Sequence, residues 1–463
     1  MAAFHASALS GLAWNPALPT ALLLRLLSLD GHDGLALGHA LRRPRLPEEA
    51  VLLLLGHPNP AIRVEFATST GAGPDQRARL VDDPSPVVRA ALAYGPERRV
   101  PRSTVLPLPD DVYARLLRDP EPSVRAALLD SPWLTPAFTA SLTAHHDPAA
   151  RLRAVGAWEL LTAGERSALA ADPDPGVRRA AALRECRSDA RVTAQLLGDP
   201  EAAEEALRRG LLHRADAERC VAERAHPAAL AGNPSLPADL VELLAVDPDE
   251  QVRLAVSVRP ELGEARRMSI EFTVGDFDRG DVGWVRDGLA DPDVLRRAAT
   301  SAHPLLRRTA AQSPHLPPDL LDVLARSGDP LVEDLLGIHH PDTPEEVLMR
   351  VFARLGGTFS AWMAETHPRF PREGLAARYA DHPDGNRRRL AVRDPAATPE
   401  LIERLSHDPA VWTRQAAAED PRLPLPRLRE VLHVPELASS AGANPALPED
   451  EMTAVLDRAG VPD

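Results

Sequence analysis

Two cysteines and several histidines are the residues of this sequence whose types could hold a metal. Cys186, His213, Cys220 and His226 fall within one stretch of the chain, but zinc sites usually present tight pairs of ligands only a few residues apart. A cysteine is often simply a small buried apolar residue. We therefore expect no metal site and no cofactor.

The motifs of the common enzyme classes are missing from the sequence. It contains no lysine, so a phosphate-binding loop of the G-x-x-x-x-G-K-[ST] type is excluded, and neither G-x-S-x-G nor H-E-x-x-H occurs. We expect no catalytic residues. An accessory role in an enzyme pathway remains an open alternative.

Aspartate and arginine recur in a fixed relation along the chain. An arginine lies six residues after an aspartate or histidine at nine places. The clearest are Asp83 and Arg89, Asp119 and Arg125, Asp172 and Arg178, Asp247 and Arg253, and Asp408 and Arg414; the others are His57 and Arg63, Asp147 and Arg153, Asp291 and Arg297, and Asp381 and Arg387. If these motifs stack, each aspartate can cap its own helix and also pair with a neighbouring arginine in bidentate geometry. We interpret the pattern as a structural ladder; an arginine row that binds phosphate or carboxylate is the alternative.

One segment, residues 266–288, concentrates aromatic and acidic residues in a chain that is only 4% aromatic. Residues 269–274 alternate as a strand does. The segment is either a degenerate repeat with a longer loop or a loop that contacts a partner, since loops often carry recognition. Its acidic run lacks the residue order of a calcium-binding EF-hand. The candidate partner-binding residues are Phe272, Asp276, Phe277, Asp278, Asp281 and Trp284.

The rest of the chain is built from a short repeat with two halves. The first half reads N-P-S-L-P-A-D-L-V-E-L-L from Asn233, and the second reads D-P-D-E-Q-V-R-L-A-V from Asp247. Copies recur about every 24 to 28 residues. Each half predicts a short amphipathic helix, the first with Pro237 at its first position, the second with Asp247 as N-cap. Helices this short are marginal alone, so they must stack on neighbours.

These units resemble the leucine-rich repeat variant family and, more broadly, HEAT-like repeats, over roughly residues 15–460. The resemblance implies an all-α, right-handed superhelical solenoid of short two-helix repeats, one helix α and the other often 3₁₀. Some relatives look as if they carry an N-terminal cysteine cluster for an iron–sulfur centre. The first cysteine here is Cys186, so we expect no cluster. We expect one continuous solenoid, with an array at 1–265, an irregular insertion at 266–290 and a second array at 291–463.

Composition narrows the choice of partner. The formal net charge of −14 argues against a phosphate backbone as the default ligand, although some HEAT-like solenoids resemble DNA-repair glycosylases, so nucleic-acid binding stays an alternative. No apolar run approaches the ~20 residues of a membrane span. The two cysteines form no disulfide framework, which favours a reducing cytoplasm. We expect a scaffold that binds a protein or peptide through its surface; the oligomeric state is left open.

Overall fold

The computed structural model describes residues 2–28, 38–41, 43, 46–96, 105–354 and 363–461. These residues form helices, turns and irregular segments, and none of them lies in a strand. The predicted all-α class is therefore confirmed for the described part of the chain. No helix among these residues is long and apolar enough to cross a bilayer.

The chain divides into two compact units. Unit 1 comprises Met1–Thr135, Phe352–Trp362 and Phe370–Asp463, and unit 2 comprises Pro136–Val351 and Met363–Arg369. The division at 1–265, 266–290 and 291–463 stays a prediction.

The helices are short throughout the described residues. In the first part of unit 1 they are α1 (Ala2–Trp14), α2 (Thr20–Leu27), α3 (Glu48–Leu55), α4 (Pro60–Ala67), α5 (Pro74–Ala78), α6 (Pro86–Tyr94), α7 (Asp110–Leu116) and α8 (Pro122–Leu129). In unit 2 they are α9 (Pro136–Ala140), α10 (Pro148–Ala154), α11 (Ala163–Ala170), α12 (Pro175–Glu185), α13 (Ala190–Leu196), α14 (Ala203–Arg209), α15 (Arg214–Glu223), α16 (Pro227–Ala231), α17 (Ala238–Leu244), α18 (Glu250–Ser257), α19 (Glu264–Met268), α20 (Gly283–Asp287), α21 (Pro292–Ala299), α22 (Pro304–Ala310), α23 (Pro318–Ala325) and α24 (Pro330–His339). Next come α25 (Glu345–Arg354), at the change of unit, and then α26 (Leu375–Tyr379), α27 (Gly385–Val392), α28 (Pro399–Leu405), α29 (Val411–Glu419), α30 (Leu425–Leu432), α31 (Ala438–Gly442) and α32 (Glu449–Arg458) of unit 1. Two 3₁₀ helices, Ser141–Ala144 and Val155–Leu160, lie in unit 2.

The helix starts are displaced from the predicted positions. Helix α18 begins at Glu250, and its N-cap is Asp249, whose side chain accepts the N–H of Gln251 at 2.9 Å. The predicted N-cap, Asp247, instead accepts the N–H of Asp249 at 2.8 Å in a turn that precedes the helix. Pro237 is likewise the N-cap of α17, which begins one residue later. The first aspartate of the motif thus shapes the turn, and its carboxylate also accepts from a neighbouring arginine, Arg224.

Alternate helices pack side by side within each unit. In unit 1, α4 contacts α6 and α6 contacts α8, and in unit 2, α14 contacts α16 and α16 contacts α18. The residues between them are small or branched and fully buried, such as Val88, Leu92, Val124 and Leu128. Complete burial of each such leucine or valine contributes about 1.5–3 kcal/mol. The core is therefore supplied mainly by neighbouring repeats rather than by any helix alone.

A buried polar residue joins one repeat to the preceding one. The amide of Asn233 donates to the carbonyls of Leu207 and Gly210, at 2.6 and 2.8 Å. Ser131, Ser313 and His340 occupy the equivalent place in other repeats and donate to the carbonyls of Tyr94, Leu289 and Ala311 respectively. Each of these bonds satisfies a carbonyl that a short helix leaves unpaired at its C-terminal end.

Candidate functional site

The segment between α19 and α20 is an irregular loop, residues 271–282, in unit 2. The strand expected at residues 269–274 does not form: Ser269 is the C-cap of α19, and the residues that follow have no regular structure. Ile270 is buried and packs into the core of unit 2. The alternation of apolar and polar residues arises because buried Ile270 is followed by partly exposed residues. A strand also needs a partner strand, and none is present among the described residues.

Two helical arginines and one glutamine of a turn hold the backbone of this loop. Arg253 of α18 donates from Nε to the carbonyl of Glu271 at 2.8 Å. Arg308 of α22 donates from Nη1 to the carbonyls of Gly275 and Asp278, both at 2.8 Å. Gln312, just after α22, donates to the carbonyls of Arg279 and Gly280 at 3.1 and 3.0 Å. Guanidinium donors aimed at carbonyl oxygens make strong, directional bonds, so the loop is fixed along most of its length.

Gly280 completes the docking of the loop on α22. Its φ is +76°, and a Cβ there would lie 2.7 Å from the carbonyl oxygen of Leu305. Its N–H donates to the carboxylate of Asp278 at 3.0 Å, and the N–H of Val282 donates to Oγ1 of Thr309 at 3.2 Å. Only glycine combines this backbone conformation with so close an approach.

Two of the three predicted aromatic contact residues are packing residues. The ring of Phe272 stacks on that of His303, with centroids 4.4 Å apart, and Phe272 also packs against the apolar core. The indole N–H of Trp284 donates to the carbonyl of Val258 at 2.8 Å, and the guanidinium of Arg297 lies 4.7 Å from the Trp284 ring centroid. Phe272 and Trp284 therefore anchor the two ends of the loop to the helices.

The third aromatic residue, Phe277, has the opposite environment. It lies at the turn of the loop and is 93% exposed, the largest value among the exposed large apolar residues of the described chain. Asp276, Asp278 and Asp281 are also exposed, and Asp281 pairs with Arg286 at 2.6 Å. The loop thus exposes one apolar side chain among three acids and one base, Arg279, on a backbone that hydrogen bonds from α18 and α22 hold in place.

The aspartates of the recurring motif pair with arginines of the preceding repeat. Nε and Nη2 of Arg89 contact the two carboxylate oxygens of Asp119 at 2.6 and 2.9 Å. The same two-point geometry joins Arg63 to Asp83, Arg151 to Asp172, and Arg388 to Asp408, and looser pairs join Arg224 to Asp247 and Arg308 to Asp329. The hydrogen bond from Arg89 is the main cause that lowers the pKa of the Asp119 carboxyl.

The six-residue spacing itself has a different cause. In the five clearest Asp/Arg motifs, Nη1 of the arginine donates to the backbone carbonyl of the aspartate six residues before it, as Arg89 does to Asp83 and Arg253 does to Asp247, both at 2.7 Å. The bond closes the turn that leads into the helix of the same repeat. Arg125 and Arg178 make this bond to Asp119 and Asp172, and Arg414 makes it to Asp408.

Of the five predicted arginines, only Arg89 pairs with an aspartate of the next motif within the described part of the chain. Among these residues Arg125 bonds only to backbone carbonyls, Arg179 rather than Arg178 pairs with Asp199, and Arg414 pairs with Glu436 at 2.8 Å. Arg253 binds the carbonyl of Glu271 in the irregular loop. Arg253 thus connects the recurring Asp/Arg motif with the irregular loop, because its guanidinium holds the loop backbone.

A buried serine–histidine pair lies beneath the loop. Oγ of Ser257 and Nε2 of His303 are 3.0 Å apart, and Nδ1 of His303 accepts the N–H of Leu305 at 3.2 Å. The proton of the neutral imidazole is therefore on Nε2, so His303 donates to Ser257, and Ser257 donates in turn to the carbonyl of Leu254. A histidine that donates to the serine cannot act as its general base in this arrangement.

The environment of His303 keeps it neutral. Burial, together with the positive charges of Arg267 and Arg307, lowers its pKa from 6.5 to about 4. Glu264 lies nearby but accepts from Ser301 and from the N–H of Ala302, rather than from the imidazole. The residues form a hydrogen-bonded structural cluster between α18, α19 and α22.

The two cysteines lie in separate parts of the core of unit 2. Cys186 packs with Leu196, Ala202 and Ala206, and Cys220 belongs to the cluster around Leu230. Both are free thiols, and burial raises the pKa of each. No group of three or more potential metal ligands occurs among the residues that the structure describes; the absence of a metal and of an iron–sulfur cluster stays a prediction.

Comparison with known proteins adds no identification to this geometry. No model of a known protein family matches the chain, and no curated protein matches it. The resemblance to the leucine-rich repeat variant family therefore rests on the repeated residues of the sequence alone.

Proposed function

We propose that this protein is a non-catalytic scaffold that binds a protein partner, and that the loop at residues 271–282 is a principal contact. The observation that carries the proposal is Phe277, an aromatic side chain 93% exposed on a loop fixed by Arg253, Arg308 and Gln312. Exposing a phenyl ring to water is unfavourable, and holding the loop in place reduces the entropy lost on binding.

The surroundings of Phe277 indicate what kind of surface it fits. Asp276, Asp278 and Asp281 are exposed around it together with one base, Arg279, and Asp281 is paired with Arg286. The whole chain carries a net charge of −14. An apolar pocket rimmed by arginine or lysine would bury the ring and complement the acids. We therefore propose a partner with a basic, apolar-centred surface.

We further propose that the repeats within each unit form a right-handed solenoid of two-helix units with a period of about 24 to 28 residues. Support comes from the contacts between alternate helices, and from the polar bonds that Asn233 and its equivalents make to the preceding repeat. Buried free thiols at Cys186 and Cys220 support a reducing compartment such as the cytoplasm.

The nucleic-acid alternative has less support. A phosphate-binding arginine row requires guanidinium groups that face solvent, and the recurring arginines such as Arg89 and Arg388 are paired with carboxylates and only 12% and 14% exposed. An accessory role in an enzyme pathway remains compatible with a scaffold and would be revealed by the identity of the partner.

A capture experiment tests the proposal. Immobilised wild-type protein is compared with the Phe277→Ala variant and with Val87→Ala, which removes a 65% exposed apolar side chain in unit 1. We expect wild type and Val87→Ala to retain one or more proteins that Phe277→Ala does not retain. If the same proteins are retained by all three, the loop is not the contact. Retention of the protein on heparin at low salt, lost at high salt, would favour the nucleic-acid alternative instead.

A further inference from the structure

The first and last described repeats of unit 1 are in contact. The amide of Asn15, which follows α1, donates to the carbonyls of Gly442 and Asn444, at 2.9 and 2.7 Å. Asn444 makes the same pair of bonds one repeat earlier, to the carbonyls of Ala418 and Asp420 at 2.9 and 2.7 Å. Both asparagines are fully buried. Asn15 therefore bonds to residues 438–444 in the same way that Asn444 bonds to the repeat before it.

The helices at this contact approach very closely. Helix α1 packs against α31, as α31 packs against α29 and α29 against α27. A Cβ on Gly11 would lie 1.9 Å from the carbonyl oxygen of Ser439, and one on Gly442 would lie 2.7 Å from that of Ala8. Leu12 and Ala441 are fully buried there. Two glycines facing each other's backbone make this a specific fit and not a chance apposition of apolar surfaces.

A charged contact lies beside the small residues. Nη2 of Arg25, on α2, is 2.8 Å from the carboxylate of Asp457 on α32, and it also donates to the carbonyl of Val461 at 2.9 Å. Arg25 is 13% exposed and Asp457 is 57% exposed. The second helix of the first repeat thus contacts the second helix of the last repeat, which is the pattern expected of consecutive repeats.

We propose that residues 7–27 complete the last repeat within one copy of the chain, and that this contact prevents the two faces from pairing with a second copy. End repeats of helical arrays expose an apolar face that must be capped by polar residues. Here the faces around Gly11 and Gly442 cover each other. Because both faces belong to one chain, the contact within a copy does not depend on protein concentration, whereas pairing with a second copy weakens as the protein is diluted. When the contact is opened, the same faces are free to form an exchanged dimer.

The absence of lysine makes a direct test possible. The Arg25→Lys variant places the only side-chain amine of the protein beside Asp457, where a zero-length carbodiimide reagent can join amine and carboxylate. A mixture of ¹⁴N- and ¹⁵N-labelled protein separates links within one copy from links between copies. The Arg429→Lys variant, whose native arginine lies 2.8 Å from Glu451 in the adjacent helix pair, is the positive control for the chemistry.

We expect the link between positions 25 and 457 to form in the monomer and to contain a single isotope label. Its absence while the link between 429 and 451 forms would overturn the proposal. A link found only between differently labelled copies would also overturn it, because the faces would then already pair between molecules.

A pair of glycine substitutions tests whether the contact depends on the close approach of Gly11 to Ser439. Gly11→Ala adds a methyl group that collides with Ser439, whereas Gly164→Ala adds one on the exposed face of α11 with nothing within 4 Å. Helix propensity alone favours alanine at both sites. In the Arg25→Lys background, we expect Gly11→Ala to lose the link within one copy and to gain none between copies, because an exchanged dimer would bring the same two backbones together. Gly164→Ala should keep the link within one copy. A Gly11→Ala protein that still links 25 to 457 would refute the role of this contact.

Discussion

The guanidinium of Arg89 and the carboxylate of Asp119 face each other in two-point geometry, at 2.6 and 2.9 Å, across two neighbouring repeats of unit 1. Arg89 is 12% exposed and Asp119 is 7% exposed, so water competes little for either group. The pair joins helix α6 of one repeat to the turn that precedes helix α8 of the next. It is one member of a ladder that also includes Arg63 with Asp83.

We predict that Arg89→Lys destabilises unit 1 by about 1–3 kcal/mol, because an ammonium group cannot make the parallel bonds to Asp119 and leaves part of the buried carboxylate unsatisfied. Arg115→Lys is the matched control: Arg115 pairs with Asp82, and both side chains are 62% exposed. It should change the free energy of unfolding by no more than about 0.5 kcal/mol. If urea titrations give equal changes in the free energy of unfolding for the two substitutions, burial of the Arg89–Asp119 pair contributes nothing to stability.

Acid should weaken the same pair. The pKa of Asp119 is lowered from its ordinary value of 3.8, mainly by the hydrogen bond from Arg89. A carboxyl whose folded pKa is lowered contributes stability that is present above its unfolded pKa and is lost as the pH falls through the folded value. We therefore expect the difference in stability between wild type and Arg89→Lys to shrink as the pH is lowered below about 4.

Buried histidines should give a second, separate pH dependence. Burial lowers the pKa of His340 from 6.5 to about 4, and its imidazole donates to the carbonyl of Ala311. The unfolded chain therefore takes up the proton first, so the stability due to neutral His340 is complete above about pH 6.5 and is lost progressively down to about pH 4. The loss is about 3 kcal/mol.

The variant His340→Asn should remove this pH dependence while keeping the bond, since asparagine occupies the equivalent place at Asn233 and Asn444. His407→Asn, at an exposed position, should leave it unchanged. Urea unfolding at pH 7, 5.5 and 4.5 measures the effect. If His340→Asn loses as much stability as wild type between pH 7 and 4.5, the neutral imidazole of His340 is not a source of the acid sensitivity.

The fixed position of the loop at 271–282 depends on Gly280. Gly280→Ala forces a side chain into the left-handed region and against the carbonyl of Leu305, which we expect to cost about 1–2 kcal/mol or more and to detach this part of the loop from α22. Gly275→Ala, in the same loop with nothing within 4 Å, is the control. Hydrogen exchange at the N–H groups of Gly280 and Val282 should accelerate only in Gly280→Ala. Unchanged exchange would mean that the loop is not held through this glycine.

The sequence predicts the helices well because proline, aspartate and leucine recur in phase, and each short helix needs the same caps and the same apolar stripe. It could not predict which aspartate oxygen faces which arginine. The six-residue spacing between Asp83 and Arg89 reflects a bond to a backbone carbonyl, whereas the ion pair of Arg89 reaches Asp119 in the next repeat.

The candidate loop shows the same limit. Its aromatic residues stand out by type, but whether a ring packs inward depends on partners far away in the sequence. Phe272 meets His303, and Trp284 meets Val258 and Arg297, while Phe277 meets no such partner among the described residues. Arg308 and Gln312 hold the loop, but nothing in the sequence around them marks this role, nor that Arg308 is buried.

The affinity of the captured partner for the wild type and for Phe277→Ala tests the binding proposal most directly. An aromatic residue at the centre of an interface typically contributes about 2 kcal/mol or more, which corresponds to roughly 30-fold in Kd. Val87→Ala should bind as the wild type does, and circular dichroism should show that all three proteins keep the same helical content. We predict a Kd weakened by about this factor in Phe277→Ala alone. An unchanged Kd in Phe277→Ala would contradict it.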